Sequence, residues 1–391
     1  MRIAATVPSV AAGSGGTERC AAALLRELSA RGHEVTLFTG DASGRDLGGV
    51  EVRRVSRLAR PSPAAYLSYL LSAALARRRA GEFDLVYSPG ANTLAADVVT
   101  AHYSAARGRK LMSSGELALA GSQLRKLARR AFLAEAERVE RRLYQSVVCR
   151  RIIAVSERLK GDLVEDYDLE LAKLMVIPNG IDTSEFRIDL RETAGPAIRR
   201  RLGLRSGEAL ALFMGGDWER KGLATLLEAL TGVSAGRSLR LAVVGHGDSA
   251  DWERRAARMG LSERVRFCGT TATPAEWYAA CDFLVLPSRY EPFGPPPLEC
   301  AACGAPAVLS SVCGSAEMLP DGEAGLHLRD PLDPEELRMK MEMLAADEEL
   351  RARLAAAGRS VAEKWSWARV AAETEAVMEE ALAEKREGQG Q

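Results

Sequence analysis

Short apolar runs rich in β-branched residues alternate along most of the chain with longer segments whose apolar residues recur every three or four positions. The short runs predict strands, and the longer segments, such as Thr17–Arg31, predict helices. This alternation predicts parallel sheets covered by helices on both faces. In the first half of the chain, strands are predicted at Arg2–Val7, Glu34–Phe38, Leu85–Tyr87, Val98–Ala101, Ile152–Val155 and Lys173–Ile177.

The same alternation starts again after residue 195, and a length of 391 residues exceeds what one hydrophobic core usually supports. We therefore expect two doubly wound, Rossmann-like α/β domains, at 1–190 and 196–365. The final residues, 366–391, are expected to form a helix that packs back on the first domain. Strands of the second domain are predicted at Ala209–Met214, Leu239–Val244, Val265–Phe267, Phe283–Pro287 and Ala307–Ser310.

Composition excludes several classes of protein. With 47% hydrophobic and 27% charged residues, the chain is too apolar for wholesale disorder. No run reaches the ~18 apolar residues that a membrane-spanning helix needs, and the first residues do not resemble a signal peptide. Seven cysteines do not make a disulfide framework. Because Cys300 and Cys303 lack a second ligand pair, we expect buried thiols, no metal and a cytoplasmic setting.

A glycine-rich turn, Gly13–Gly16, separates the first predicted strand from the first predicted helix. Glycines allow the backbone to approach a ligand closely, and a helix N-terminus offers free N–H groups. The turn therefore suits a phosphate or a sugar hydroxyl. Its spacing differs from the dinucleotide-binding motif, because Glu18 occupies the place of the third glycine. A purely structural turn is the alternative.

Two glutamates lie in or just after a predicted strand-to-helix loop in the second domain. The strand is expected to end at Pro287 and the helix to begin near Pro296, because proline suits the first helical turn. Glu291 then lies in the loop, and Glu299 lies one turn into the helix. Ligands bind at this edge of open α/β sheets, where carboxylates can accept hydrogen bonds from sugar hydroxyls. Two solvated surface acids are the alternative.

A basic pair, Arg220 and Lys221, follows the first strand of the second domain in the same manner. These side chains should reach the same edge of the sheet as Glu291. A guanidinium and an ammonium group together are a suitable counter-charge for a diphosphate. The alternative is a solvated pair, although a helix start is an unfavourable position for cations.

These motifs together resemble glycosyltransferase family 4, a large retaining family with the GT-B fold, in which two Rossmann-like domains face a central cleft. The loop Asp217–Lys221 is similar to that of lipopolysaccharide-core glucosyltransferases. The resemblance covers nearly the whole chain and rests on Gly13–Gly16, Ala154-Val155-Ser156-Glu157, Ile177-Pro178-Asn179-Gly180-Ile181-Asp182, Asp217–Leu223 and Glu291–Glu299.

The resemblance implies a role for each matching position of the second domain. Glu291 would bond the hydroxyls of the donor sugar, and Glu299 would bond the ribose. Arg220 and Lys221 would hold the diphosphate. The backbone near Gly269 would meet the nucleotide base. Phe293 and Gly294 would present amides to the diphosphate.

In the first domain, the resemblance places Gly15 and Gly16 near the donor phosphate and the acceptor. It places His102 near the transferred sugar, although a packed core histidine is the alternative. The sequence also departs from the family. Gly216 stands where many relatives have Arg or Ser, and Pro295–Pro297 remove three backbone donors close to the diphosphate.

The resemblance further implies transfer of a hexose from a UDP- or GDP-sugar to a sugar or lipid-linked acceptor of the cell envelope. Attack would occur on the face from which the diphosphate leaves. We expect no metal and no other cofactor, because no D-x-D pair stands at a predicted strand end.

The segment 104–151 is rich in Arg and Lys and carries a basic helical stretch around Arg125, Lys126, Arg129 and Arg130. A basic amphipathic stretch can lie on an anionic membrane, which predicts peripheral contact with the inner membrane face. A solvated helix face is the alternative. Nucleic acid is disfavoured, because the overall charge is balanced and no aromatic platform accompanies the arginines.

Two other functions stay open at this stage. A nucleotide-sugar epimerase has a similar architecture, but the sequence identifies no acid/base set around a sugar carbon. A non-catalytic nucleotide-sugar-binding protein would explain Pro295–Pro297. The donor base, the sugar, the acceptor and the oligomeric state are not readable from these motifs.

Overall fold

The computed structural model describes residues 1–11, 15–56, 58, 63–117, 123–234 and 238–389. The chain divides into two compact units. Unit 1 comprises Met1–Gly180 and Trp367–Gln391, and unit 2 comprises Ile181–Ser366. The chain thus leaves unit 1 at residue 180, earlier than the boundary at 190 that the sequence predicts.

In the described part of unit 1, seven strands form one parallel sheet in the order β3-β2-β1-β4-β5-β6-β7. The central strands are buried along nearly their whole length, as expected for a sheet covered on both faces. The strands are β1 Arg2–Thr6, β2 Glu34–Thr39, β3 Glu51–Arg54, β4 Leu85–Pro89, β5 Val98–Ala101, β6 Arg151–Ala154 and β7 Leu174–Val176.

Helices connect these strands and bury one face each. The first helix buries Leu24, Leu25 and Leu28, which recur at the three- and four-residue spacing of an amphipathic helix. The described helices between the strands are α1 Gly16–Ala30, α2 Pro63–Arg79, α3 Ala105–Ser113, α4 Gln123–Tyr144 and α5 Glu157–Tyr167.

Unit 2 repeats the architecture, and its described strands form a six-stranded parallel sheet in the order β10-β9-β8-β11-β12-β13. Two short helices, α6 Leu190–Thr193 and α7 Gly195–Arg201, precede this sheet. The strands are β8 Ala209–Met214, β9 Leu239–Val244, β10 Val265–Phe267, β11 Phe283–Leu286, β12 Ala307–Ser310 and β13 Leu326–Leu328. The remaining helices of unit 2 are α8 Leu223–Gly232, α9 Ser249–Arg258, α10 Pro274–Ala280, α11 Pro296–Ala302, α12 Pro334–Ala346 and α13 Glu348–Lys364.

The C-terminal part of the chain is divided between the two units. Helix α13 ends at Lys364, and a separate helix, α14 Trp367–Gln389, follows at the place where a C-terminal helix was expected. The break coincides with the return to unit 1, where α14 packs against α1. Glu375 of α14 accepts hydrogen bonds from Arg31 and His33.

Two strands were missed by the sequence analysis, and both lie at an edge of a sheet. All four residues of β3, Glu51–Arg54, are exposed, so this strand carries no apolar run. The other, β13, has only three residues. None of the helices in the described ranges combines the length and hydrophobicity that crossing a membrane requires.

Gly222 lies where two loops of unit 2 meet at the carboxyl edge of the sheet. Its φ angle is +80°, in the left-handed region that favours glycine. A Cβ atom built there would lie 2.0 Å from the carbonyl oxygen of Pro287, which follows β11. Only glycine therefore allows the loop after β8 to approach the loop after β11 this closely.

We predict that Gly222→Ala destabilises unit 2 by about 3 kcal/mol, because a left-handed backbone and a backbone overlap both add strain. Gly203→Ala is the matched control, since Gly203 has a φ of +67° and open space around its Cβ position. That control should cost about 1 kcal/mol or less. The free energy of unfolding from urea titrations checks both values, and equal losses would contradict the close approach.

Candidate functional site

The loops after β8 and β11 meet at the carboxyl edge of the sheet in unit 2. The two strands are parallel neighbours, so their ends lie at the same edge. The backbone N–H of Arg289 donates to the carbonyl oxygen of Arg220 at 2.9 Å and ties the two loops together. The structure therefore brings the predicted basic pair, Arg220 and Lys221, to the predicted acid Glu291.

Glu291 is 9% exposed and lies in an ion pair with both cations. Its Oε2 atom accepts hydrogen bonds from Nζ of Lys221 at 2.5 Å and from Nη1 of Arg220 at 3.2 Å. Arg220 also donates to the carbonyl oxygen of Tyr290 at 2.5 Å and to Oδ2 of Asp217 at 3.2 Å. These contacts fix the guanidinium group in one orientation.

The charge of Glu291 is set by a balance between burial and its partners. Burial acts to raise the pKa of this carboxyl, but the charges of Arg220 and Lys221, and the hydrogen bonds they donate, outweigh it. The pKa is held at about 2, below the usual 4.5. Glu291 is therefore ionised at neutral pH and can only accept hydrogen bonds.

The loop that carries Glu291 is also held by the segment after β12. The N–H of Gly314 donates to the carbonyl oxygen of Glu291 at 2.9 Å, and the N–H of Ser315 donates to that of Phe293 at 2.7 Å. Gly294 has a φ of +76°, and a Cβ there would lie 2.7 Å from Cγ of Glu291. The glycine at this position thus leaves room for the glutamate side chain.

Few free backbone donors lie between Glu291 and Glu299, as the prolines led us to expect. The N–H groups of Leu298 and Glu299 bond to the carbonyl oxygen of Pro295 within the start of α11, so they are not available to a ligand. The N–H groups of Phe293 and Gly294 make no hydrogen bond to any residue that the structure describes. Within the described residues, these two amides of the loop are therefore open to an additional acceptor.

Glu299 is 4% exposed and lies in the first turn of α11. Its Oε2 atom accepts a hydrogen bond of 2.7 Å from the hydroxyl of Tyr278 on α10. The alternative of a solvated surface acid is excluded for both glutamates by their burial.

Gly269 follows β10 with a φ of +68°, and its carbonyl oxygen accepts the N–H of Gly245 at 2.8 Å. The residues on either side, Cys268 and Thr270, line a cavity of about 350 Å³. Trp277 lines the same cavity and stacks under the guanidinium of Arg201, at 4.8 Å from the ring centroid. A flat group of the size of a nucleobase fits a space of this volume and lining.

Unit 2 also contains a glycine-rich turn that the sequence analysis missed, Gly245-His246-Gly247 after β9. Gly245 packs so closely that a Cβ there would lie 2.0 Å from the carbonyl oxygen of Gly215. Gly216, the departure from the family pattern, lies beside the carbonyl oxygen of His246. The sequence carried a signal for this turn, since Gly245 directly follows the buried strand β9.

In unit 1, Gly15 and Gly16 begin α1, and both are exposed. Gly13 and Ser14 of the same turn lie outside the described residues. His102 follows β5 and is half-buried, and burial lowers its pKa to about 4, so the imidazole is neutral at pH 7. His102 and Glu18 of α1 line one cavity of about 730 Å³, which extends from the first turn of α1 to the histidine.

Many cations of the segment 104–151 are paired within unit 1. Arg107 contacts Asp162, Glu165 and Asp166, and Arg109 contacts Glu137. The side chains of Leu124 and Arg125 lie outside the described residues. The segment therefore presents less free positive charge than its composition suggests.

The thiols of Cys300 and Cys281 are buried, with their sulfur atoms 3.7 Å apart.

Two family models match the chain, and together they span most of it. The model described as Glycosyltransferase Family 4 matches residues 14–185, and the model described as Glycosyl transferases group 1 matches residues 195–361. The predicted resemblance to this family is therefore confirmed.

Curated relatives match over part of their length. An uncharacterized glycosyltransferase of Methanocaldococcus jannaschii, MJ1607, is 32% identical over 228 residues, which is 57% of this chain and 58% of that protein. The lipopolysaccharide glucosyltransferase WaaG of Escherichia coli is 27% identical over 202 residues, 51% of this chain and 54% of that protein. The chain spans a little over half the length of the curated relatives it matches.

Solved structures match over nearly the whole chain. A crystal structure of WaaG has a TM-score of 0.78 and 22% identity, covering 96% of this chain and 99% of that one. Anabaena HepE in complex with UDP-glucose has a TM-score of 0.73 and 20% identity, covering 96% of this chain and 100% of that one. With two Rossmann-like units, this likeness confirms the predicted GT-B fold.

We predict that Glu291→Gln lowers the free energy of unfolding of unit 2 by about 3 kcal/mol at pH 7, because a pKa unit corresponds to ~1.4 kcal/mol. The pKa of Glu291 is depressed in the folded state, so its stabilisation is present above pH 4.5 and is lost as pH falls towards 2. The difference in the free energy of unfolding between the wild-type protein and Glu291→Gln should therefore become smaller below pH 4.5.

Urea unfolding between pH 7 and pH 3.5 measures this difference. Glu335→Gln is the control, because Glu335 forms an exposed ion pair with Arg338 that solvent screens. Its effect should be much smaller at every pH. A difference for Glu291→Gln that does not change with pH would contradict a depressed pKa.

Proposed function

Because the chain belongs to glycosyltransferase family 4, we propose that it transfers a hexose from a nucleoside-diphosphate sugar to an acceptor hydroxyl, with retention of configuration at the anomeric carbon. The observation that carries the proposal is the convergence of Glu291, Arg220 and Lys221 from separate loops at one edge of the sheet in unit 2. Unit 2 would hold the donor, and unit 1 would supply acceptor-side groups.

The diphosphate of the donor would interact with Arg220 and Lys221. Their charges are balanced by Glu291 and Asp217, and their N–H groups would donate to the phosphate oxygens of the ligand. The guanidinium is already oriented by Asp217 and by the carbonyl oxygen of Tyr290. The free N–H groups of Phe293 and Gly294 would add uncharged donors to the diphosphate.

The sugar and nucleoside of the donor would meet the other residues of unit 2. Glu291, which only accepts hydrogen bonds at neutral pH, would accept from hydroxyls of the sugar. Glu299 would bond the ribose, and the base would lie beside Gly269 in the cavity with Trp277. These assignments follow the roles that the family resemblance implies.

In the proposed reaction, the acceptor oxygen bonds to the anomeric carbon while the bond from that carbon to the diphosphate oxygen breaks. The electron pair leaves with the diphosphate, which also takes up the acceptor proton. Arg220 and Lys221 would stabilise the charge that develops on the leaving oxygen. His102 is neutral and would orient a hydroxyl by a hydrogen bond, and Gly15 and Gly16 would allow close approach of donor phosphate or acceptor.

Relatives support the finer parts of the proposal. HepE binds UDP-glucose, which supports a UDP-hexose as donor, with a GDP-sugar as the alternative. WaaG is involved in lipopolysaccharide biosynthesis, which supports a sugar or lipid-linked acceptor of the cell envelope. A cytoplasmic position with peripheral membrane contact through 104–151 would fit such an acceptor. The exposed Leu127 of α4 would supply apolar surface for that contact.

The test is a panel of nucleoside diphosphates and nucleoside-diphosphate sugars. We expect one diphosphate to raise the melting temperature most, and its sugar to be consumed with release of that diphosphate. Product NMR should show the anomeric configuration of the donor. Conversion of the sugar without diphosphate release would identify an epimerase instead, and thermal stabilisation without turnover would identify a binding protein.

We predict that Arg220→Gln weakens binding of the preferred nucleoside diphosphate about tenfold to a hundredfold, because a hydrogen bond to a charged group contributes about 1.5–3 kcal/mol. Isothermal titration calorimetry measures this change. Arg254→Gln, in the exposed part of α9, is the matched control and should leave the affinity unchanged. Equal affinity in both variants would remove Arg220 from the donor site.

We predict that Glu291→Gln lowers kcat by at least about a hundredfold, since loss of one preorganised electrostatic group has an effect of that order. Glu323→Gln changes an exposed acid of unit 2 in the same way and should keep full activity. The two rates are compared at saturating donor, at a temperature where calorimetry shows both variants folded. Unchanged turnover in Glu291→Gln would contradict the proposed role.

A further inference from the structure

The cavity of about 730 Å³ in unit 1 is twice as large as the cavity beside Gly269, and its lining is of a different kind. It lies at the carboxyl ends of β1, β4 and β5, where open α/β sheets bind ligands. Its volume is within the range of small-molecule sites, ~300–1,000 Å³. The described residues that line it belong to unit 1.

Aromatic rings form much of the wall, and the hydroxyls of Tyr66 and Tyr69 already donate to backbone carbonyl oxygens. The hydroxyl of Tyr66 donates to the carbonyl oxygen of Ala91, and the hydroxyl of Tyr69 donates to that of Phe38 at 3.0 Å. Tyr66 packs edge-to-face against Phe132 of α4, with ring centroids 5.7 Å apart. The rings therefore present apolar surface that suits another flat ring.

Glu140 of α4 also lines the cavity and is 7% exposed. Its Oε2 atom accepts hydrogen bonds from the hydroxyl of Tyr167 and from the N–H of Ala105. Its second oxygen, Oε1, makes no hydrogen bond to any residue within the described ranges. This oxygen is not fully enclosed, so it can form a hydrogen bond with a hydroxyl of a molecule in the cavity.

The cavity presents little charge at neutral pH. Burial raises the pKa of Glu140 to about 8, and burial lowers the pKa of His102 to about 4, so both side chains are mainly neutral at pH 7. Among the described residues that line the cavity, the charged ones are Glu18 in the first turn of α1 and the exposed Arg129 of α4. These described residues offer a phosphate or an anionic headgroup no cationic pair comparable with Arg220 and Lys221.

We propose that the acceptor is an uncharged, hydroxylated aromatic compound, whose rings lie in this cavity against Tyr66 and Phe132 and whose hydroxyl bonds to Glu140. This inference rests on the proposed sugar transfer and assigns it an aromatic acceptor in place of a sugar or lipid-linked acceptor. A second hydroxyl of the same compound, near His102, would receive the sugar. A free sugar would leave the aromatic walls unfilled, and a simple acyl chain would leave Oε1 of Glu140 without a partner.

The probe is 2,6-dihydroxynaphthalene, and its binding is measured by isothermal titration calorimetry without donor. Ala128 lines the cavity from the exposed side of α4, so Ala128→Trp should fill part of the space at little cost in stability. We expect this variant to weaken probe binding at least tenfold. Ala131→Trp is the matched control, because Ala131 is exposed on the same helix and does not line the cavity. It should change the affinity less than twofold.

Two further probes test the chemistry of the occupant. 2-Naphthol lacks one hydroxyl and should bind about threefold to tenfold more weakly, because it cannot bond Glu140 and acceptor-side groups together. Octyl β-D-glucoside tests an alkyl chain. If it binds as tightly as the dihydroxynaphthalene, with the same sensitivity to Ala128→Trp, the aromatic assignment is overturned. No measurable binding of the dihydroxynaphthalene to the wild-type protein would overturn it as well.

Failure of the inference and failure of the proposed function can be told apart. Nucleoside-diphosphate binding is measured on the same samples and should be equal in wild type, Ala128→Trp and Ala131→Trp. Diphosphate binding and donor turnover without probe binding would overturn the aromatic acceptor and leave sugar transfer standing. Probe binding without any diphosphate binding would overturn sugar transfer. With both intact, mass spectrometry of the wild-type reaction should detect a glycosylated dihydroxynaphthalene, and its absence would overturn the acceptor assignment.

Discussion

The buried negative charge of Glu291 is the constraint on which the candidate site depends. A carboxylate that is 9% exposed is stable only with paired charge, and Arg220 and Lys221 supply it from a neighbouring loop. That pairing requires the loops after β8 and β11 to lie in contact, which Gly222 makes possible. A single ion-pair cluster thus determines the shape of the carboxyl edge of unit 2.

In the proposed function, Arg220 and Lys221 would have two roles. Without a ligand they neutralise Glu291, and with a donor they would also meet a diphosphate. Because the guanidinium is held by Asp217 and the Tyr290 carbonyl as well, it is oriented before any ligand arrives. Such preorganisation lowers the cost of reorienting charged groups during a reaction. The start of a helix is an unfavourable position for two cations, but the neighbouring carboxylate of Glu291 compensates their charge.

Much of the fold was predictable, because buried parallel strands carry apolar runs that stand out in the sequence; Val98–Ala101 and Ala209–Met214 were predicted with their observed bounds. The edge strand Glu51–Arg54 was not, since pairing on one side leaves it exposed and polar. In the site, spacing brought Arg220, Lys221 and Glu291 to one edge. Spacing could not reveal Tyr278 as the partner of Glu299, or the aromatic cavity around Glu140, because both depend on helices that meet only in the folded chain.

The division of the chain at Gly180 and Trp367 has a consequence for biosynthesis. Unit 2 is one continuous segment, whereas unit 1 needs its last helix, α14, which leaves the ribosome after all of unit 2. Until then, Asp97 lacks the ammonium group of Lys385, and α1 lacks its packing partner α14. During synthesis, unit 2 should therefore be able to fold before unit 1. Until α14 is made, unit 1 keeps an uncovered apolar face that chaperones can bind.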